Sequence, residues 1–487
     1  VHPTSLLVFL PLVGAILVAL LPEHRRGQAW HVALLHTVAT FAVAVWVGAR
    51  FDPTHGAVQM TERLPWDDGA SLGVDAVAIP MVLMATGLFA VSTVAASTIR
   101  VRPRGYHAWM LVLESAVLTV FLARTWGLFY AAWEATLVPV FFLVSMWGGE
   151  GRRRAAMSML VYTMFGAVFL LNGLVALYTA LGVHHLHVDG EGVTTANLSV
   201  TVQTLLFAAF LVGFGVKLPV VGLHGWLPHA YTEAPTSTTM VLSAVLAKMA
   251  AVGLIRMSLL LPDGARVFAP VLFAIGAAGI AHGALMAWRE RDLKRLVAWS
   301  SLSHMGFVLI GLSAGGAAGL TGAVAQMIAH GLVGALLFLA VGVLEARTHE
   351  RDVRAFGGLA RKAPEVGALV TVALLSSVAV PGTVGFVAEV GLVAAVWGHF
   401  GWLALAVPLA ATAWAAVAIR VLLDVVGGPV GHATRELGAL SRTERVAAGG
   451  LVVAVVALGV APKWIGTPQT PPDGPAAAHS EVNHGRG

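Results

Sequence analysis

Glu134, Lys217, Lys248 and Glu389 each stand inside a long run of apolar residues, and so do His304, His330 and Glu114. Amines, imidazoles and carboxyl groups in a low-dielectric medium take up and release protons, and a nearby opposite charge changes how tightly each proton is held. An amine whose carboxylate partner can move is a proton switch. Placing such groups at mid-membrane costs about 2.5–3.5 kcal/mol for each acid or lysine. Glu134, Lys217, Lys248 and Glu389 as isolated charges would cost roughly 10–14 kcal/mol together. That rivals the stability of a whole domain. These groups must pair, be hydrated or be neutral. A lone acid such as Glu114 can also clamp two helices, and a lone His304 or His330 can simply be a hydrogen-bonded packing residue. Several costly groups in series, beside two broken helices, argue for moving charge.

The elements that must hold them follow from the pattern. Between Val212 and Arg256 the chain reads V-G-F-G-V-K-L-P-V-V-G-L-H-G-W-L-P-H-A-Y-T-E-A-P-T, then a second apolar run containing A-K-M-A-A-V-G-L-I-R. Proline lacks an N–H and clashes with the preceding turn, so Pro219 predicts a helix break near Lys217. Glu233 is the one acid of the connection. Pro381-Gly382 predicts a second break, upstream of Glu389. Irregular backbone at membrane depth belongs where it is buried in protein or lines a cavity.

Of the 487 residues, 57% are hydrophobic and 11% charged, against about 25% charged in an ordinary soluble chain. Apolar runs of spanning length recur from end to end. The predicted fold class is an all-α polytopic membrane protein of about fourteen spans. Their limits are near 4–22, 29–49, 73–97, 107–123, 125–147, 155–181, 199–221, 236–261, 268–288, 294–313, 318–345, 365–398, 402–424 and 444–461. The first run reads as a retained helix, since no small-residue cleavage site follows it. Basic clusters at 25–26, 100–104, 152–154, 289–295, 347–362 and 435–445 all follow odd-numbered spans. Positive loops stay cytoplasmic, so both termini are expected on the outer, periplasmic side. Two five-helix units, each with a broken helix, suggest an inverted repeat. The expected division is 1–106 for the first three spans, 107–262 and 263–425 for the repeats, and 426–487 for the last span and tail.

Other signals are weaker. His184, His185 and His187 lie in an outer loop with no companion cluster and read as solvated rather than as a metal site. Trp126 and Trp226 read as interfacial anchors, and the glycines within spans as close helix contacts. The Pro-, Ala-, Gly- and His-rich tail after Pro462 is expected to be mobile and peripheral. The chain contains no cysteine, which excludes iron–sulfur clusters held by its own thiolates. No P-loop or dinucleotide-binding glycine pattern appears. The +5 formal charge sits in short loops and gives no nucleic-acid signal.

Together these segments resemble a known family. F-Y-A-A-W-E-A-T-L-V-P around Glu134 and V-K-L-P-V-V-G-L-H-G-W-L-P-H-A-Y-T-E-A-P-T are similar to motifs of the M-subunit family of bacterial NADH-quinone oxidoreductase, respiratory complex I. So are A-K-M-A-A-V-G-L-I-R, R-D-L-K-R-L-V-A-W-S-S-L-S-H-M-G, H-G-L-V-G-A-L-L-F-L-A-V-G-V-L-E-A-R-T-H-E-R-D and P-G-T-V-G-F-V-A-E. His304, where sister subunits usually carry Gln, points to M. His229, Ala135, Thr136 and Ser237-Thr238-Thr239 depart from the family pattern. The resemblance implies a proton-translocating membrane-arm subunit without a redox centre, coupled to quinone reduction elsewhere in a respiratory chain. It makes Glu134 and Lys217 a charged pair in one half-channel. Lys248 becomes the connecting amine, His304 and His330 relay groups, Glu389 the terminal acid and Glu114 a secondary acid. It implies no cofactor in this chain, and FMN, iron–sulfur clusters and quinone in other subunits. It implies antiporter-like neighbours on both sides in a bacterial cell (inner) membrane. The alternatives are a subunit of a multi-subunit sodium/proton antiporter or membrane-bound hydrogenase, and a membrane scaffold with no transport role.

Overall fold

A computed structural model describes residues 2–54, 58–65, 69–183, 186–188 and 195–462. His184, His185 and the tail beyond 462 lie outside the described residues. Helices α1 (Pro3–Ala19) and α2 (Ala29–Arg50) are followed by a hairpin of strands β1 (Gln59–Arg63) and β2 (Ser71–Val74). Then come α3 (Ala78–Ala95), α4 (Pro103–Leu122), α5 (Trp126–Ala135), α6 (Leu137–Trp147), α7 (Arg152–Leu181), α8 (Val200–Lys217) and α9 (Leu227–Glu233). Next, α10 (Thr236–Val241), a π-turn (Leu242–Leu246) and α11 (Ala247–Leu260) run on as one rod. They lead into α12 (Pro262–Arg289), α13 (Leu293–Ala314), α14 (Gly316–Thr348) and the short α15 (Leu359–Lys362). The chain ends with α16 (Pro364–Ser377), α17 (Val384–Phe400), α18 (Ala406–Val421) and α19 (Arg442–Val460).

Among the described residues, twelve helical stretches are long and apolar enough to cross a membrane, and α1 and α16 are shorter apolar helices. One stretch, Val384–Val426, is 43 residues long, about twice what one crossing needs. It turns at Gly401, whose φ is +56°. The chain is a multi-pass membrane protein. The hairpin is the departure from an all-helical chain. In it, the Glu62 carboxylate accepts the N–H groups of Thr4 and Ser5 at 2.9 Å each and so caps α1.

Each helix break has a local cause, and the one between α5 and α6 was not predicted. Pro139 cannot donate to Ala135, so α5 and α6 part at Thr136. Helix α8 ends at Lys217, Pro219 follows, and Gly222 turns the chain with φ +93°. The broken span then continues through α9, beyond the limit predicted for it. Helix α16 ends at Ser377, and Gly382 follows Pro381 with φ +92°. Trp226 closes part of the first break, donating its indole N–H to the Val216 carbonyl at 2.9 Å. Trp226 and Trp126 are both buried. They are core residues instead of interfacial anchors, because the break and the α5 start lie inside the bundle.

Burial sorts the helices. The α10–α11 rod, α13 and α14 are buried throughout their most apolar windows. On α7, Met157, Val161, Met164, Val168, Leu171 and Val175 form an exposed stripe at helical spacing, which suits lipid. Glycines bring the central helices close. A side chain on Gly306 of α13 would collide with the Gly276 carbonyl of α12. Leu392 of α17 sits in a notch that side chains on Gly311 and Gly322 would fill. One turn from Leu392 on α17 stands Glu389.

Candidate functional site

The first cluster is built at the break after α8. The buried Lys217 Nζ lies 3.8 Å from the centroid of the Trp133 ring. It also donates to Thr136 Oγ1 at 3.2 Å and to the Trp133 carbonyl at 3.4 Å. Thr136 occupies the α5–α6 junction that Pro139 creates, so two helix breaks face each other here. Phe129 and Phe214 pack on Trp133 and hold its ring. Glu134 is half-buried, and among the described residues no ion pair within 4.0 Å joins it to Lys217. The expected charged pair is therefore open in this conformation.

The second cluster lies in the buried centre. Lys248 of α11 is fully buried. Its Nζ donates to the Ser243 carbonyl at 3.0 Å and is in hydrogen-bond contact with His330 Nδ1. Ser243 belongs to the π-turn, an irregularity common at functional sites. The His330 ring on α14 lies 5.5 Å from that of His304 on α13. His304 Nδ1 is 2.8 Å from the Ser300 carbonyl, and its Nε2 is 3.1 Å from the Ser377 carbonyl. Beside the imidazoles is a small hollow of about 10 Å³ whose polar lining comprises Ser300, His304, Gln326, His330, Ser376, Ser377 and Glu389. Among the described residues, buried His330 Nε2 and Gln326 Oε1 have no partner. A polar hollow with such groups suits water.

The structure thus brings Lys248, His330, His304 and Glu389 together and sets Lys217 beside Trp133, with Glu134 adjacent. Glu114 stands apart: it is fully buried on α4, and neither carboxyl oxygen has a partner among the described residues. Glu233 acts at the membrane edge, where its carboxylate accepts the Gly151 N–H at 2.9 Å. His229 is exposed.

Sequence reasoning passed over several contributors. Ser300 and Gln326 precede His304 and His330 by four residues, a spacing that shares one helix face. Trp133, Ser377 and Trp414 carried no such signal. Two ionic groups were also missed. Lys294 donates to the Ala234 carbonyl at 2.8 Å and to Glu345 at 3.1 Å, and Arg351 bridges Glu345 and Asp292. This fastens the α9 end to α13 and α14. At the opposite membrane side Asp75 lies 2.9 Å from Arg256 and 3.6 Å from Arg124. Burial acts to raise the Asp75 carboxyl, but Arg256, the Ala78 N–H and Arg124 outweigh it and hold it below the usual carboxylate range. A depressed folded value means stabilisation that is complete above about pH 4 and fades as pH falls through that folded value. Asp75→Asn is accordingly expected to cost about 1–3 kcal/mol at neutral pH. The difference from wild type, measured by thermal unfolding, should shrink on acidification.

Residues 123–413 match the family described as NADH:quinone oxidoreductase/Mrp antiporter, TM. The chain is 35% identical to NADH-quinone oxidoreductase subunit M of Rhodobacter capsulatus, over 99% of this chain and 96% of that protein. A chain of respiratory complex I from Thermus thermophilus with bound NADH superposes with a TM-score of 0.84 at 26% identity, covering 95% of this chain and 96% of that one. A chain of the Mrp complex from a Dietzia species gives a TM-score of 0.85 at 21% identity, with 96% of each covered, a likeness of fold alone.

Proposed function

The chain belongs to the NADH:quinone oxidoreductase/Mrp antiporter transmembrane family, and from that premise we propose that it is the M subunit of a bacterial NADH-quinone oxidoreductase, moving protons across the membrane. The observation that carries this reading is the polar series Lys248, His330, His304, hollow and Glu389, whose first three members stand on helices buried throughout their most apolar windows. A set of clamps has no need of a hollow or of partnerless polar atoms facing it. In this reading Lys217 holds a proton at Nζ against the Trp133 ring, and Glu134 tunes its release by approaching or withdrawing. Lys248 Nζ exchanges a proton with His330 Nδ1, and His304 and Glu389 pass it on around the hollow. Water links the first cluster to the second. Glu114 serves as an accessory acid.

The wider assignment follows the same reading. The repeats are 107–262 and 263–425, inverted about α8/α9 and α16/α17, with 1–106 and 426–487 flanking them. Both termini face the periplasm, and antiporter-like subunits adjoin on either side. The redox groups (FMN, iron–sulfur clusters and quinone) belong to other subunits.

The test is affinity purification of the chain from its own membranes, with mass spectrometry of what accompanies it and an assay of NADH-driven acidification in vesicles. Flavin- and iron–sulfur-bearing partners with uncoupler-sensitive proton movement are expected. Purely membrane partners and sodium/proton exchange without quinone reduction would give the chain to an antiporter instead.

A further inference from the structure

We propose that Trp414 is a positioning residue of the relay, sharing the free carbonyl of Ser377 with His304 and so tying the proton on His304 to the interruption between α16 and α17. The proposal rests on the relay reading above. Ser377 ends α16, and a helix end leaves its last carbonyls without intrahelical partners. A carbonyl offers two lone pairs. The Trp414 indole N–H donates to one at 3.0 Å, and His304 Nε2 stands at the other at 3.1 Å. The Ser377 hydroxyl is committed to the Leu374 carbonyl at 2.7 Å, so its oxygen also accepts from the indole, at 3.1 Å. The indole meets the His304 ring edge-on, centroids 5.8 Å apart.

His304 thus sits between two acceptors, the Ser300 and Ser377 carbonyls. A neutral imidazole has one N–H and one lone pair, so it satisfies one carbonyl and points a lone pair at the other. The imidazolium satisfies both. When His304 gives up its Nε2 proton, the Ser377 carbonyl must turn away, and the Trp414 N–H is placed to keep it. The titratable groups that face His304 are Lys248 from α11, His330 from α14 and, across the hollow, Glu389 from α17. From α18 comes Trp414 itself. Loss or gain of a proton on His304 is in this way transmitted to the backbone at the break ahead of Glu389, by hydrogen bonds that an inert packing tryptophan would not make.

The test compares protons pumped per quinone reduced across pH in vesicles carrying the whole complex. Trp414→Phe keeps the ring and removes the donor, leaving the Ser377 carbonyl to His304 alone. The alkaline limb of the pumping profile is expected to move to higher pH by about half a unit or more. Gly382→Ala strains the left-handed turn of the break and displaces that carbonyl, so its limb is expected to move the other way. It serves as the deciding variant if Trp414→Phe does not assemble. An unshifted limb in whichever variant assembles would overturn the proposal. His304→Ala separates the two readings. Normal pumping by that variant removes the relay itself. Lost pumping there, with an unshifted Trp414→Phe profile, removes only the role of Trp414.

Discussion

Lys217→Arg is expected to abolish proton pumping, by tenfold or more as an order of magnitude, in a complex that still assembles. The substitution keeps a cation in the same pocket. Guanidinium stacks on aromatic faces at least as well as ammonium does, so the Trp133 ring 3.8 Å from Nζ remains a partner. Thr136 Oγ1 and the Trp133 carbonyl remain acceptors. What disappears is the ability to let the proton go, because arginine stays charged under all working conditions. Lys217→Ala should fail equally, and Glu134→Ala should also lose most of the pumping. The arginine variant is the sharper test, because a merely structural cation would survive it. NADH-driven acidification of vesicles, normalised to assembled complex, is the measurement. Normal pumping with Arg at 217 would mean that no proton leaves Nζ during turnover.

The second expected result concerns Lys248→Met. Methionine matches the length of the lysine stem and carries no charge. The variant should pump at least tenfold less, as an order of magnitude, while the protein becomes no less stable to heat. The reasoning is that Lys248 is fully buried and, among the described residues, bonds one carbonyl and one imidazole and pairs with no acid. Replacing a buried ionic group by an apolar side chain of similar volume is often neutral or stabilising by 1–4 kcal/mol, on the order seen for buried pairs. A rivet behaves in the reverse way: its removal lowers the melting temperature and leaves pumping per assembled complex intact. Thermal unfolding and pumping measured on the same preparation separate the two. Destabilisation together with intact pumping would return Lys248 to a structural role.

The amino-acid sequence by itself determined the number and order of the spans, the two interruptions and the costly groups. The reason is that lipid leaves a chain few choices. Apolar runs must become helices of spanning length, proline must break them, and each intramembrane charge stands out against a uniform background. Pro219 and Pro381 therefore marked the breaks, and the i−4 serine and glutamine of His304 and His330 could have been read from spacing. What the sequence did not decide is which groups meet. Lys217 meets the Trp133 ring and carbonyl and the Thr136 hydroxyl, because its helix end faces the α5–α6 junction. His304 bonds the carbonyl of Ser377, 73 residues further on, and Trp126 and Trp226 lie in the core. Such neighbours are set by how helices distant in sequence rotate and pack, down to glycines that admit a backbone at close range. That information resides in tertiary contacts, because periodicity along one helix says which face is apolar and nothing about which helix will cover it.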